Sequence, residues 1–258
     1  MKHTSAQLKQ MARANLNNKW FTAISFTAMH TFTLYLLDMC TSLFQTNDTK
    51  GIVVQMVVRL IISLISSLFT VGSYFFYLNI CRGRTYTINN LFAAFKMNPA
   101  RFLIVSLIVQ LPALLIQLPV IAAPAAVTVG DALHISIHAA GYSILAYIVS
   151  VFFSIFLELA YFLMLDFPEM DAIPAMKIST ALMRGNKLRY LYIMVLSFIG
   201  WHILGAFSLE IGYFWITPYI TMTMTYFYCD VLEQLKDSPY MQGYEVPDFV
   251  IPDDSSLI

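Results

Sequence analysis

Long apolar runs alternate along this chain with short amphipathic stretches, and the alternation recurs. Apolar runs extend approximately from Trp20 to Phe44, Ile52 to Ile80, Phe102 to Val127, Ala140 to Leu165, Leu188 to Leu209 and Ile211 to Leu232. Each reaches the roughly 20 residues that a helix needs to cross about 30 Å of hydrocarbon. Within them apolar residues occupy every face, as in Leu60 to Phe69 and Tyr142 to Phe156. A barrel strand would instead alternate over about ten residues. The pattern predicts an all-α fold, a polytopic membrane protein with six transmembrane helices arranged as three hairpins.

A short amphipathic helix is expected before each hairpin, near 4–16, 87–96 and 174–184. In the first, Leu8, Met11, Ala12 and Leu16 share a face, and Thr4 with Gln7 three residues on forms a capping box. Ile88, Leu91, Phe92 and Phe95 form the second face, and Ile178, Ala181 and Leu182 the third. A helix breaker and a basic and aromatic group follow each: Asn17 and Asn18 before Lys19 and Trp20, Asn98 and Pro99 before Arg101 and Phe102, Gly185 and Asn186 before Lys187, Arg189 and Tyr190. Lys19, Arg101, Lys187 and Arg189 are the expected interfacial anchors. Asn18 to Asn98 is 80 positions and Asn98 to Asn186 is 88. Three units related by rotation about the membrane normal are the implied arrangement; the plainer reading is that any hairpin protein needs such basic helix starts.

Composition agrees with the bilayer as solvent. The 258 residues are 59% hydrophobic and 12% charged, against about 25% charged in soluble domains. Net charge is zero, so nothing global points to nucleic acid. The placement of basic residues is informative: thirteen of the fifteen Lys and Arg fall before or at the very start of the first, third or fifth run or after the last, leaving only Lys50 and Arg59 elsewhere. Cytoplasmic connections collect Lys and Arg, which predicts a multi-pass plasma-membrane protein with both termini cytoplasmic. Residues 1–236 then form the transmembrane domain, and 237–258 an acidic, proline-bearing cytoplasmic tail, extended or disordered. The first eighteen residues lack the layout of a cleavable signal, so the first run is expected to stay. Cys40, Cys81 and Cys229 are odd in number and far apart, which fits packing rather than a disulfide framework or zinc site.

Ser5-Ala6-Gln7-Leu8-Lys9, with Ala12, Arg13, Leu16 and Trp20, resembles the start of the bacterial domain of unknown function 975 family of integral membrane proteins. The second half resembles it further, in Ser179, Ala181, Leu182, Met183 and Gly185, in Ser197-Phe198-Ile199-Gly200-Trp201, in Gly212, Trp215 and Pro218-Tyr219, and in Tyr226 to Asp230. The resemblance implies a bacterial, often Gram-positive, plasma-membrane protein of uncharacterised role, and brings no catalytic residues.

Ionisable groups within apolar runs are costly and mark candidate sites. Asp38 and Arg59 fall at similar depth, roughly 9–11 Å below the outer surface at 1.5 Å per residue, and can pair across the first hairpin. His202 lies at similar depth with Glu210 above it. Together these four could form an outward polar pocket, the plain alternative being a structural ion pair. Glu158 stands alone in the fourth run, with Asp166 two turns on; it fits a hydrogen-bonded acid or a proton relay. His30 reads as a packing histidine. Asp131, His134 and His138 share a face of any short helix in the third connection, a weak metal signal more readily read as surface, so neither metal nor cofactor is expected. Pro112, Pro119 and Pro124 in the third run, and Pro218 in the sixth, predict kinks.

No phosphate loop, dinucleotide fingerprint, zinc-protease or nucleophile-elbow motif occurs. The leading expectation is a non-enzymatic membrane protein of unknown biochemical role. It would bind anionic lipid head groups at its cytoplasmic face, and a lipid or a partner membrane protein through its bundle, in envelope homeostasis or protection from membrane-active peptides. The alternatives are a transporter or lipid scramblase using the kinked third and sixth runs, and, less favoured, a membrane-embedded enzyme.

Overall fold

A computed structural model describes residues 2–43, 49–121 and 129–248. Among them every regular element is helical. Six long segments are present: α2 (Trp20–Ser42), α3 (Thr49–Cys81), α5 (Pro99–Ile121), α6 (Val129–Asp166), the consecutive pair α8 (Lys187–Met194) and α9 (Ile199–Phe207), and α10 (Tyr213–Leu235). The short helices are α1 (Ser5–Leu16), α4 (Ala93–Lys96) after a 3-10 turn over Ile88–Phe92, and α7 (Ala172–Leu182). Among the described residues four stretches are long and apolar enough to cross a membrane: Val54–Cys81, Pro99–Ile116, Ala140–Asp166 and Lys187–Phe207. The 23-residue α2 and α10 would be about 35 Å long, but carry more hydroxyl and charged groups.

The capping box forms as its spacing predicts: the Gln7 amide donates to the Thr4 hydroxyl, while the Thr4 amide donates to the Gln7 side chain at 2.8 Å. Each short helix ends in one left-handed residue: Asn18 (φ 61°), Asn98 (φ 43°) and Gly185 (φ 81°). Asn and Gly tolerate this region best, which gives the three breakers of the sequence a common role. They turn the chain out of the short helix and into the next long one.

The packing is cyclic. α2 lies against α3 and α10, α5 against α6 and α3, and α8 with α9 against α10 and α6. The first long helix of each unit thus sits between its own partner and the second helix of the preceding unit. The short helices repeat the rule, since α1 packs on α10, the 88–96 segment on α3, and α7 on α6. The second helices α3, α6 and α10 meet one another in the centre. There Tyr74, Phe162 and Tyr228 stack, one ring from each, with centroids 4.8 and 5.1 Å apart.

The two ends of the bundle differ. Toward the short helices, the second helices are densely buried, including Phe76, Tyr77 and Leu78, Phe162 and Leu163, and Tyr226 to Tyr228. Toward the other end, large apolar side chains lie on the outside, among them Val54, Val57 and Ile61, Ile144, Leu145, Tyr147 and Ile148, and Ile203, Leu204 and Phe207. So much exposed apolar surface is stable only against another apolar phase. Short-helix faces that the sequence would allow on lipid pack on protein instead: Leu8, Ala12 and Leu16 are fully buried, as are Ala175 and Ser179.

The fifth long segment is interrupted where no proline marks it. Helical bonding lapses at Val195 and passes through a 3-10 turn at Leu196–Phe198. Lys9 reaches from α1 to donate to the Ser197 carbonyl, its ammonium 4.0 Å from the centre of the Phe198 ring. Inserting an outside donor into a helical ladder is a recognised cause of bending. By contrast α5 stays helical through Pro112 and Pro119, and α10 through Pro218; Pro124 lies outside the described residues. The backbone is already helical at Val129, so Asp131, His134 and His138 belong to α6, and their side chains lie outside the described residues. Over 237–248 the chain forms one 3-10 turn, Pro239–Met241, then continues without regular secondary structure, with Met241 and Val246 buried.

Candidate functional site: a polar groove and a partnered carboxylate

On α3, Arg59, Ser63, Ser66, Ser67 and Thr70 follow helical spacing and so share one face. The ladder runs over eleven residue steps, about 16 Å of helix. It forms the floor of an open groove of about 820 Å³ with Tyr35, Asp38 and Thr41 of α2 along one side and Gln110 of α5 on the other. Ligand sites fall in the range of roughly 300–1,000 Å³. The groove occupies the half of the bundle whose outer surface is apolar, away from the short helices.

Part of this lining is already hydrogen-bonded. Ser63 donates to Gln110, tying α3 to α5, while Ser67 and Thr70 donate back to the carbonyls of Leu64 and Ser66 at 2.6 and 3.1 Å. The charged groups are not. Among the described residues the Asp38 carboxylate and the Arg59 guanidinium make neither an ion pair nor a side-chain hydrogen bond, and both are exposed. The two are gathered into one groove with their donors and acceptors free.

Behind the floor, Ser106 of α5 bonds to Ser67 at 2.8 Å and to the Tyr161 hydroxyl of α6 at 2.9 Å. One turn beyond Thr70 on the same face of α3 comes Tyr74. Its ring centroid is 6.3 Å from that of Tyr161, and its hydroxyl donates to Glu158 Oε1 at 2.6 Å. Tyr190 of α8 donates to Glu158 Oε2, also at 2.6 Å. Glu158, partly buried, is therefore held by two phenols from two other units, with no cationic partner among the described residues.

Asp166 of α6 and Asp230 of α10, both buried, are held differently. Asp166 is 2.7 Å from Arg82 and 3.6 Å from Arg84, and accepts from Tyr228 at 3.1 Å. Asp230 is 2.6 Å from Arg189 and accepts from the His3 backbone amide and from Gln234, both at 3.1 Å. These knots close the short-helix end of the bundle. Arg82 also donates to the Pro247 and Asp248 carbonyls at 3.2 and 2.8 Å, holding the tail beneath it.

The other residues singled out in the sequence are distributed elsewhere. His202 is apart from the groove, its backbone carbonyl accepting from the Tyr213 hydroxyl at 3.4 Å. Glu210, with φ 68°, sits in the tight turn between α9 and α10. His30 Nε2 is buried without a hydrogen-bond partner. Of the basic anchors, Arg101 is buried and donates to the Pro168 and Met170 carbonyls, Arg189 serves Asp230, Lys19 donates to Asn15, and Lys187 lies 4.1 Å over the Phe156 ring. Sequence reading missed the Arg82–Asp166 and Arg189–Asp230 knots. The available signal was an Asp near the C-terminal end of two second helices whose basic connections lie on the same side. No cluster of three metal-ligating side chains occurs among the described residues.

Comparison with known proteins places the chain by family. No curated protein and no solved structure matches it. A family model described as "Protein of unknown function (DUF975)" matches residues 1–235, nearly the whole chain, and the protein belongs to that family.

Proposed function

We propose that this protein is a multi-pass plasma-membrane protein of six spans, both termini cytoplasmic, whose groove binds the head group of a phospholipid from the outer leaflet. The observation that carries the reading is the groove itself: a polar, charged trough open along an otherwise apolar surface. Arg59 matches a phosphodiester, since a guanidinium offers planar, paired donors. Asp38, Ser66 and Thr70 suit a hydroxyl or ammonium on the same head group. Acyl chains would then lie along the exposed apolar residues of α2, α3 and α5. The orientation is supported by the basic bias toward the short helices. The 38 residues of α6, about 57 Å, exceed the hydrocarbon by almost twofold, so its Asp166 end would stand in the cytoplasm with the ion-pair knots.

The test is native mass spectrometry of the protein released from nanodiscs of mixed phospholipids. Wild type retains one phospholipid class above its bulk ratio, and Arg59→Gln loses that retention by about tenfold, as expected for one charge-assisted hydrogen bond. Recovery of bulk lipid at bulk ratios from both proteins sinks the reading.

Lipid scrambling is the second reading, favoured by one observation: the groove is open along its length and reaches about half the hydrocarbon depth, the geometry a head group needs while its tails stay in lipid. A dithionite quenching assay in proteoliposomes tests it. Quenching that stops at the outer-leaflet fraction counts against scrambling while leaving head-group binding intact.

A further inference from the structure

The second helices carry three carboxylates at the core of the bundle, and two of them face arginine. Asp166 has Arg82 and Arg84, and Asp230 has Arg189. Among the described residues Glu158 has phenols only: Tyr74 from α3 and Tyr190 from α8. The other elements around it contribute Tyr161 on the next turn of α6, Ser106 from α5, and Ser179 from α7, which donates to the Phe156 carbonyl. The basic groups on α8 are directed elsewhere, Lys187 over the Phe156 ring and Arg189 to Asp230, and Tyr228 of α10 serves Asp166. A structural carboxylate at this place would be expected to have a cation, as its two counterparts do. A carboxylate held by neutral hydroxyls can exist charged or protonated without breaking a salt bridge.

Those hydroxyls do not end at Glu158. Tyr161 bonds to Ser106, and Ser106 to Ser67, which lines the groove. Tyr74 stands one turn below Thr70 on the groove's own face. We infer that Glu158 is a proton-exchange site served from the groove through Ser67, Ser106 and the Tyr161–Tyr74 pair. In the step, the Ser67 hydroxyl turns from the Leu64 carbonyl toward Ser106, and Ser106 turns from Ser67 toward Tyr161. A proton from water in the groove then adds to Ser67 while that hydroxyl passes its own proton to Ser106. Ser106 passes one to Tyr161. The Tyr161 and Tyr74 rings are in contact, centroids 6.3 Å apart, without a hydrogen bond between them. One water must therefore take the Tyr161 proton and give one to Tyr74 as Tyr74 passes its own to the carboxylate. Only O–H bonds form and break, no electron moves, and Glu158 changes from carboxylate to acid. The protonated oxygen then donates to the tyrosine that had donated to it. This gives the groove a proton-coupled element, so that an occupant and a proton can influence each other's binding.

The inference shares the water-accessible groove with the lipid reading, but its readout contains no lipid term. Infrared difference spectroscopy on films of the full chain in one synthetic phospholipid follows the carboxylic C=O stretch as H₂O is exchanged for D₂O and as pH is stepped. A titrating band that shifts within the mixing time and vanishes in Glu158→Gln supports the site. Ser106→Ala and Tyr161→Phe keep the band and slow its exchange by about tenfold, the rate equivalent of one lost hydrogen bond. If no titrating band is lost in Glu158→Gln, or if exchange is as fast in both relay variants as in wild type, the inference is overturned. Should Glu158→Gln fail to fold, the relay variants, with Glu158 intact, decide the question. Arg59→Gln keeps the lipid reading separate: loss of lipid retention with unchanged exchange leaves the proton site standing, and the converse leaves the lipid site standing.

Discussion

Two glycine-to-alanine substitutions in long helices should shift stability in opposite directions. Alanine in a helix interior is favoured over glycine by about 1 kcal/mol, because the glycine chain loses more backbone freedom on folding. At Gly141 on α6 an added Cβ meets nothing within 4 Å, so that gain is realised in full. At Gly72 on α3 the same Cβ overlaps the Leu91 carbonyl oxygen, and comes within 2.7 Å of its carbon and 2.9 Å of the Asn90 carbonyl oxygen. Carbon contacts are optimal at about 3.5–4.0 Å, so the 88–96 segment must retreat by roughly 1 Å. The obstacle is backbone and cannot rotate aside. Leu91 and Ala94, which are buried there, lose packing, and overpacking of this kind costs about 1–3 kcal/mol. The clash outweighs the helix gain, leaving Gly72→Ala destabilised by up to about 2 kcal/mol, while Gly141→Ala is stabilised by up to about 1 kcal/mol. Thermal unfolding of the detergent-solubilised chain, read by size-exclusion recovery after heating, should separate the two by several degrees. Gly72→Ala at or above wild type would refute the close approach of α3 to the 88–96 segment, and with it one of the three equivalent contacts of the cyclic packing.

Asp166→Ala strands the buried Arg82 guanidinium and should cost about 3–5 kcal/mol, whereas Arg82→Ala combined with Asp166→Ala should cost less than the sum of the two single changes; a melting-based double-mutant cycle that closes additively rejects the knot. Lys9→Met removes the donor to the Ser197 carbonyl and should cost about 1–2 kcal/mol, with the loss measured by the same melt; no loss would mean that the bend in the fifth segment does not depend on Lys9. Arg59→Gln and Asp38→Asn, at exposed residues without an ion pair among the described residues, should leave the melt within about 0.5 kcal/mol of wild type even where lipid retention falls; a large destabilisation would reveal a structural pairing. In thiol titration of the folded protein, exposed Cys40 should react first, while Cys81 and Cys229, buried with sulfurs 3.6 Å apart, should need denaturant; three equally fast thiols would contradict the packing of α3 on α10.

The helices of this protein are legible in the sequence because each is decided locally. A run of apolar residues, a capping box at Thr4 and a breaker at Asn18, Asn98 or Gly185 act within a few positions, and the structure has its long helices close to where the runs lie. The resemblance in Ser5–Lys9 and Ser197–Trp201 likewise pointed to the right family. The pairing of elements was less accessible. Asp38 and Arg59 share a groove but do not meet, His202 belongs to another place, and the fifth segment is interrupted over Val195–Phe198, where no proline stands. Each outcome depends on a group more than ten residues away in the chain: Gln110 for the groove wall, Lys9 for the bend, Tyr74 and Tyr190 for Glu158.

The sequence by itself determined that this is a helical chain with long apolar runs, and that its basic residues gather around short amphipathic stretches closed by breakers, since composition and local pattern carry that information. Only the tertiary structure decided that the first long helix of each unit lies between two second helices, that Arg82 and Arg189 close the knots on Asp166 and Asp230, and that Glu158 is left to hydroxyls beside a groove. The physical reason is that helix formation follows hydrogen bonds four residues apart, while partner choice follows which faces meet across the bundle, and no local pattern records that choice.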